Sequence, residues 1–106
     1  MAVPRQQIHI DVPVAYRSIF PRIIVVDFTG RVHRNYDGWW IDEEGFGHII
    51  IRRTLTHREI DTIISHEVFH AMWGAILDHT EEELAIANGW LNAAIRDDIE
   101  WGEDDA

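Results

Sequence analysis

The chain has 106 residues, a length that predicts one compact domain built around a single hydrophobic core. Its 46% hydrophobic content, with five Trp and four Phe, excludes a disordered protein, and the lack of cysteine excludes disulfides and thiolate metal sites. A net charge of -10 excludes direct binding to nucleic acid phosphates.

The N-terminus has no apolar run preceded by basic residues, and no stretch approaches the ~18 apolar residues of a membrane span. We therefore expect no signal peptide, no membrane association and a cytoplasmic location. Residues 80–106 carry nine acids against Arg96 alone, a balance of -8, and residues 1–79 hold the remaining -2. These acids either keep a small protein soluble or form a face that contacts a basic protein partner.

The first half of the chain has the patterns of strands. Residues 7–12 alternate between polar and apolar side chains and predict a short strand, whereas residues 14–20 fit either a helical turn or extended chain. The β-branched run at 23–28 predicts a buried strand. Turn signals near residues 37 and 44 predict that residues 38–52 form a hairpin.

The second half has helical periodicity and two capping boxes. Thr56 and Glu59 open a helix predicted over 57–77, and Thr80 and Glu83 open a second over 81–100. The first helix has apolar residues around much of its circumference, including Phe69, and is predicted to be central and buried.

Together these elements predict an α+β fold with a single domain over residues 1–106. A small twisted, mostly antiparallel sheet of three to four strands occupies about residues 1–55. The two helices follow, and an acidic tail at 102–106 is predicted to fray.

The predicted first helix carries the motif HEVFH at residues 66–70. A spacing of four places His66 and His70 on one helix face, where two imidazole nitrogens can bind the same ion. Glu67 lies about 100° around the helix, where it can take a proton from a water on that ion. The motif therefore predicts one catalytic Zn²⁺, with Glu67 as general base and acid.

Chance and ordinary core or surface histidines are the competing explanations of this motif. With seven His and nine Glu, a chain of this length contains H-E-x-x-H by chance at about 4%. The position of the motif in mid-helix, after a capping box, favours a metal site further.

A catalytic zinc usually has three protein ligands, so a third ligand must come from elsewhere in the chain. The nearest acids are Asp78 and the run at 81–83. Glu83 occupies the N3 position of the second capping box and so has a structural role, whereas Glu81 and Glu82 do not. Each of these acids also fits a simpler role, because a negative side chain in the first turn stabilises the helix through the positive end of its dipole.

The segments SHEVFHAMWG and TEEELAIANGWLNAAI resemble small zinc-peptidase-like proteins encoded in tailed-phage and prophage genomes. In that family an H-E-V-F-H helix precedes a helix that opens with E-x-x-A and continues to G-[YW]-[LI]. Residues 82–85 and 89–91 fit this register, and Gly38-Trp39-Trp40 and residues 48–51 resemble its glycine-tryptophan turn and edge strand. The resemblance covers roughly residues 37–95.

The resemblance implies a minimal gluzincin-like fold, a bound Zn²⁺ and peptide-bond hydrolysis. Carried over by position, it implies Glu82 as the third ligand. Ala87-Asn88 lies two positions later than Glu82 requires, which leaves Glu83 as the alternative.

The oxyanion of a peptidase also needs a stabilising group, and the candidates by residue type are His79, Tyr36, His57 and Arg96. An extended peptide substrate is predicted to pair with an edge strand formed by residues 48–52. The alternative function is a non-catalytic phage protein with a structural zinc that binds a basic partner through its acidic C-terminal helix.

Overall fold

A computed structural model of the chain describes residues 7–28, 35–52 and 55–99. The strands are β1 (Gln7–Asp11), β2 (Ile23–Asp27), β3 (Gly38–Glu43) and β4 (Phe46–Ile51). The main helices are α1 (His57–Met72) and α2 (Glu81–Asp98), and short 3₁₀ helices cover Val14–Tyr16 and Trp73–Asp78. The predicted α+β class is confirmed, and the tail at 102–106 lies outside the described residues.

The four strands form one mixed sheet in the order β1-β2-β4-β3. β1 pairs with β2 and β3 pairs with β4 in antiparallel fashion, whereas β2 and β4 run parallel. β4 therefore lies inside the sheet and β3 lies at its edge. The prediction that residues 48–52 form the edge strand is wrong, because the hairpin inserts its second strand beside β2 and leaves its first strand outside.

The β3–β4 hairpin is closed by a two-residue loop. Glu44 has a φ of 49° and Gly45 a φ of 85°, and both values lie in the left-handed region that a tight hairpin loop of the type I′ kind requires. The loop fixes the register, which pairs Gly38 with Ile51, Trp40 with Ile49 and Asp42 with Gly47. Since strand residues alternate between faces, residues 38, 40 and 42 share one face of β3.

Both helices begin at the predicted capping boxes. The Glu59 backbone N–H donates to Thr56 Oγ1 at 3.2 Å, and the Thr56 N–H donates to the Glu59 carboxylate at 3.0 Å. Thr80 and Glu83 repeat this arrangement at 3.2 and 2.9 Å. These bonds satisfy backbone donors that otherwise have no partner in the first turn.

The helix ends differ from the predictions. α1 ends at Met72 rather than at residue 77, and the chain continues in a 3₁₀ helix that contains Gly74, a poor α-helix former. The second helix, predicted to reach residue 100, ends at Asp98.

The core lies between one face of the sheet and the two helices. Its fully buried side chains come from every layer and include Ile24 and Val26 of β2, Ile64 of α1 and Leu91 of α2. Arg96 joins the helices, because its guanidinium forms an ion pair with Asp61 and donates to Ser65 Oγ at 2.8 Å. None of the helices formed by the described residues is long and apolar enough to cross a membrane.

Candidate metal centre

His66 and His70 lie one turn apart on α1, as their spacing predicts. Their Nε2 atoms are 3.0 Å apart, and the ring centroids are 4.7 Å apart with the planes at 70°. Two imidazoles bound to one tetrahedral zinc at 2.0–2.1 Å would place their nitrogens about 3.3 Å apart. Both side chains are exposed, so the prediction that the motif helix is central and buried is wrong for this face. Phe69, 47% exposed, contradicts it as well.

Glu67 is the buried member of the motif and retains only 3% of its accessible surface. The start of β3 covers it. A Cβ atom added to Gly38 would lie 3.0 Å from Glu67 Oε2 and 2.4 Å from Ile63 Cγ2, so only glycine allows β3 to approach the helix this closely. The contact confines the carboxylate to the space beside the two histidines.

The three side chains of the motif form one donor group. One ligand atom from each of His66, Glu67 and His70 lies within 4.8 Å of the others, and the group could hold a metal ion. No hydrogen bond from another described residue engages the Glu67 carboxylate. None of the described side-chain polar atoms is both inaccessible to solvent and without a partner, so the unpaired Glu67 carboxylate keeps some access to solvent, and a ligand can approach it there.

The environment of Glu67 shifts its proton affinity in two directions. Burial raises the pKa of Glu67 above its usual value, and this is the largest effect. The nearby His70 and His66 oppose it and lower the pKa. The net shift is upward, which is the direction that makes a carboxylate a better proton acceptor near neutral pH.

The motif opens into a cavity of about 360 Å³, which we call the aromatic cavity. Trp40 forms one of its walls. The ring of Trp40 packs directly on Gly47, and a Cβ atom added to Gly47 would lie 2.2 Å from Trp40 Cη2. The lining consists of the three motif side chains, Gly38 and four aromatic residues, Tyr36, Trp39, Trp40 and Trp73.

A second cavity of about 400 Å³ adjoins the first, and the two share Trp40 and His70 as lining residues. Its charged lining residues are Arg17, Asp42 and Asp78. The two cavities therefore lie side by side at His70, and we call the pair the cleft. The short chain therefore builds a cleft from its hairpin and from the turn after α1.

The structure does not bring the predicted third ligand into the donor group. Glu82 and Glu83 both lie exposed in the first turn of α2, and neither belongs to the group formed by the motif. The carboxylate of Glu83 accepts the Thr80 N–H, as the capping argument predicts. Bonds from Thr80 lower the pKa of Glu83, whereas Glu82 takes no part in the capping box. Glu82 as third ligand stays a prediction.

Of the four oxyanion candidates, Tyr36 alone is among the described residues that line the aromatic cavity. His79 bonds instead to Ser18 Oγ at 2.9 Å and to the Ala75 carbonyl at 3.0 Å, and so ties the turn after α1 to the loop after the first 3₁₀ helix. Arg96 is held between the two helices, and His57 lies in the first turn of α1.

Sequence reasoning missed the contribution of Trp73 and Trp39 to the cavity. Trp73 follows His70 by three residues, so helical spacing already places it near the motif. The position of Trp39 depends on the strand order. β4 pairs with β2, which leaves β3 and its Trp39 at the edge of the sheet beside the cavity.

No protein-family model, no curated protein and no solved structure matches this chain. The resemblance to small phage-encoded zinc-peptidase-like proteins, which covers roughly residues 37–95, stays a prediction.

Proposed function

We propose that this chain is a zinc-dependent peptidase with Glu67 as its general base. The observation that carries the proposal is the position of the Glu67 carboxylate, which is buried under Gly38, lies beside two imidazoles that could hold a metal ion and lines an open cavity. A purely structural zinc site does not need such a carboxylate. A catalytic site needs a proton acceptor within reach of the metal.

His66 and His70 would hold the ion, and Glu82 would supply the third ligand from the first turn of α2. The donors fit zinc, which accepts imidazole nitrogen and carboxylate oxygen and is commonly held by two histidines and a glutamate in hydrolases. When bound, zinc would polarise the peptide carbonyl and lower the pKa of a water ligand.

The protein's own residues would manage the proton and the substrate. Glu67 takes a proton from the attacking water and returns it to the amine that leaves. Tyr36 donates a hydrogen bond to the oxyanion from the wall of the aromatic cavity, a role for which its place in the lining is the support. An extended peptide pairs with β3, which is the edge strand beside the motif.

The first test measures zinc. Protein refolded with zinc is expected to carry close to one ion per chain by elemental analysis, and His66→Ala is expected to lose it. His9→Ala is the matched control, because His9 is an exposed histidine on β1 that bonds only locally to Gln7 among the described residues. Wild-type protein that takes up no zinc would sink the proposal.

The second test separates chemistry from metal binding. Glu67→Gln keeps the shape of the side chain, so the variant should fold and bind zinc but lose peptide hydrolysis by at least about a hundredfold. Activity equal to that of wild type would contradict the role of Glu67. A zinc-loaded wild type without activity on any peptide would fit the alternative instead, a binding module whose acidic α2 contacts a basic partner.

A further inference from the structure

The walls of the aromatic cavity are apolar and partly exposed to solvent. Trp73 is 64% exposed, Tyr36 51% and Trp39 41%. The ring centroids of Tyr36 and Trp39 are 5.1 Å apart in a T-shaped contact, which orients both side chains. Aromatic surface held open beside a buried carboxylate is suited to enclose an apolar side chain, since covering it removes apolar area from water.

The other end of the cleft is acidic. The second cavity contains Asp42 and Asp78 against the single base Arg17, whose Nε donates to the Val12 carbonyl at 2.9 Å. The hairpin turn adds Glu43 and Glu44, which line a third cavity together with Asp42. The hairpin end of β3 is therefore negative, whereas its start is aromatic.

The register of β3 relates these two ends. Gly38 faces Glu67, Trp40 lies between the cavities, and Asp42 lines the acidic one. These alternate residues share one face of the strand, so a peptide paired with β3 would direct alternate side chains toward the same cleft. Gly38 and Asp42 are four residues apart, a separation of roughly 13 Å along a strand.

We propose that the cleft binds an extended peptide with a large apolar residue and a Lys or Arg four residues away. The apolar side chain occupies the aromatic cavity, and the basic side chain lies against Asp42 and Asp78. The net charge of -10 also favours a basic peptide over an acidic one. This inference rests on the proposed function, which makes the cleft the site where a peptide binds, but it concerns binding and not hydrolysis.

The test measures the binding of synthetic peptides by tryptophan fluorescence, first with zinc-loaded Glu67→Gln protein and then with metal-free wild type. The reference peptides have one Phe and one Lys four residues apart in an alanine and glycine background, in both orders. Replacing Phe by Ala should weaken binding of the preferred order by at least about tenfold. Replacing Lys by Glu should weaken it by about three- to fivefold at low salt, and less at high salt.

Spacing provides the sharpest comparison. A peptide with Phe and Lys three residues apart presents the two side chains on opposite faces of a strand, so its Phe can occupy the cavity but its Lys cannot reach Asp42, and it should bind as weakly as a peptide with Ala in place of Lys. Equal binding of the two spacings would overturn the inference.

Two protein variants locate the peptide. Trp73→Ala should abolish the preference for Phe, with Leu77→Ala as the matched control, since Leu77 is 96% exposed and lines neither cavity of the cleft. Asp42→Asn should abolish the preference for Lys, with the exposed Asp97→Asn of α2 as its control. Unchanged preferences in both variants would refute the inference. Self-association of the protein through the aromatic cavity, reversed by Trp73→Ala, would also refute it, because the cavity would then bind a second copy of the chain and not a peptide.

The outcomes separate this inference from the proposed function. Peptides that bind as described to a protein without zinc or activity would support the cleft and refute the peptidase. Hydrolysis at a rate that does not depend on Phe, Lys or their spacing would support the peptidase and refute the inferred binding preference of the cleft.

Discussion

The two main helices begin in the same way and use their carboxylates differently. Each opens with Thr, two intervening residues and Glu in a closed capping box. α1 then buries Glu67 to 3% exposure in its third turn, whereas all three glutamates in the first turn of α2 stay exposed. The difference at Glu67 lies outside the helix, because β3 packs over α1 at Gly38 and covers this carboxylate.

The largest expected effect concerns the first turn of α2. If Glu82 is the third zinc ligand, Glu82→Ala should weaken zinc binding by more than about a hundredfold, because even partners outside the ligand set typically contribute 10- to 100-fold. Competition with a chelator of known affinity measures the change. Glu81→Ala is the control, as an exposed acid in the same turn. A loss confined to Glu83→Ala would assign the third ligand to Glu83.

The next effect tests the close approach of β3 to α1. Gly38→Ala should lower the free energy of unfolding by about 1–3 kcal/mol, because the added methyl overlaps Ile63 and presses on Glu67. Gly89→Ala is the matched change in α2, where nothing lies within 4 Å of the added atom. It should instead stabilise by about 0.5–1 kcal/mol. Urea unfolding measures both, and equal signs would contradict the packing argument.

The caps should have similar energies but different functional consequences. Thr56→Ala and Thr80→Ala should each cost about 1 kcal/mol of stability, as the loss of an N-cap usually does. Only Thr80→Ala disturbs the turn that holds Glu82, so it alone should reduce zinc affinity. Thermal unfolding and zinc titration of the two variants measure the contrast. Identical zinc affinities would separate Glu82 from the site.

The smallest effect is the pH dependence of the caps. Bonds from Thr56 lower the pKa of Glu59, and bonds from Thr80 lower that of Glu83, from a usual value of 4.5. Folding therefore favours both ionised carboxylates, and their contribution is present above pH 4.5 and is lost as the pH falls through the lowered values. The double variant Glu59→Gln and Glu83→Gln should lose stability less steeply below pH 4.5 in acid unfolding. A slope equal to that of wild type would exclude this contribution.

Local patterns predicted much of the fold because their causes are local. The capping boxes and the hairpin depend on contacts within a few residues, and both helix starts and the pairing of residues 38–52 follow from them. The predicted end of α1 at residue 77 is wrong because Gly74 disfavours an α-helix, and because His79 after the turn bonds to Ser18, which is distant in sequence. The edge strand was wrong for a related reason, since strand order is a long-range property.

The sequence by itself determined the paired imidazoles, because a spacing of four on any α-helix brings two side chains together. It also excluded thiolate ligands for a metal ion, because the chain has no cysteine. Only the tertiary structure decided that Glu67 is buried while its neighbours His66 and His70 are exposed. That outcome depends on β3, which lies at the sheet edge and approaches α1 closely enough at Gly38 to cover one carboxylate and leave a cleft beside it.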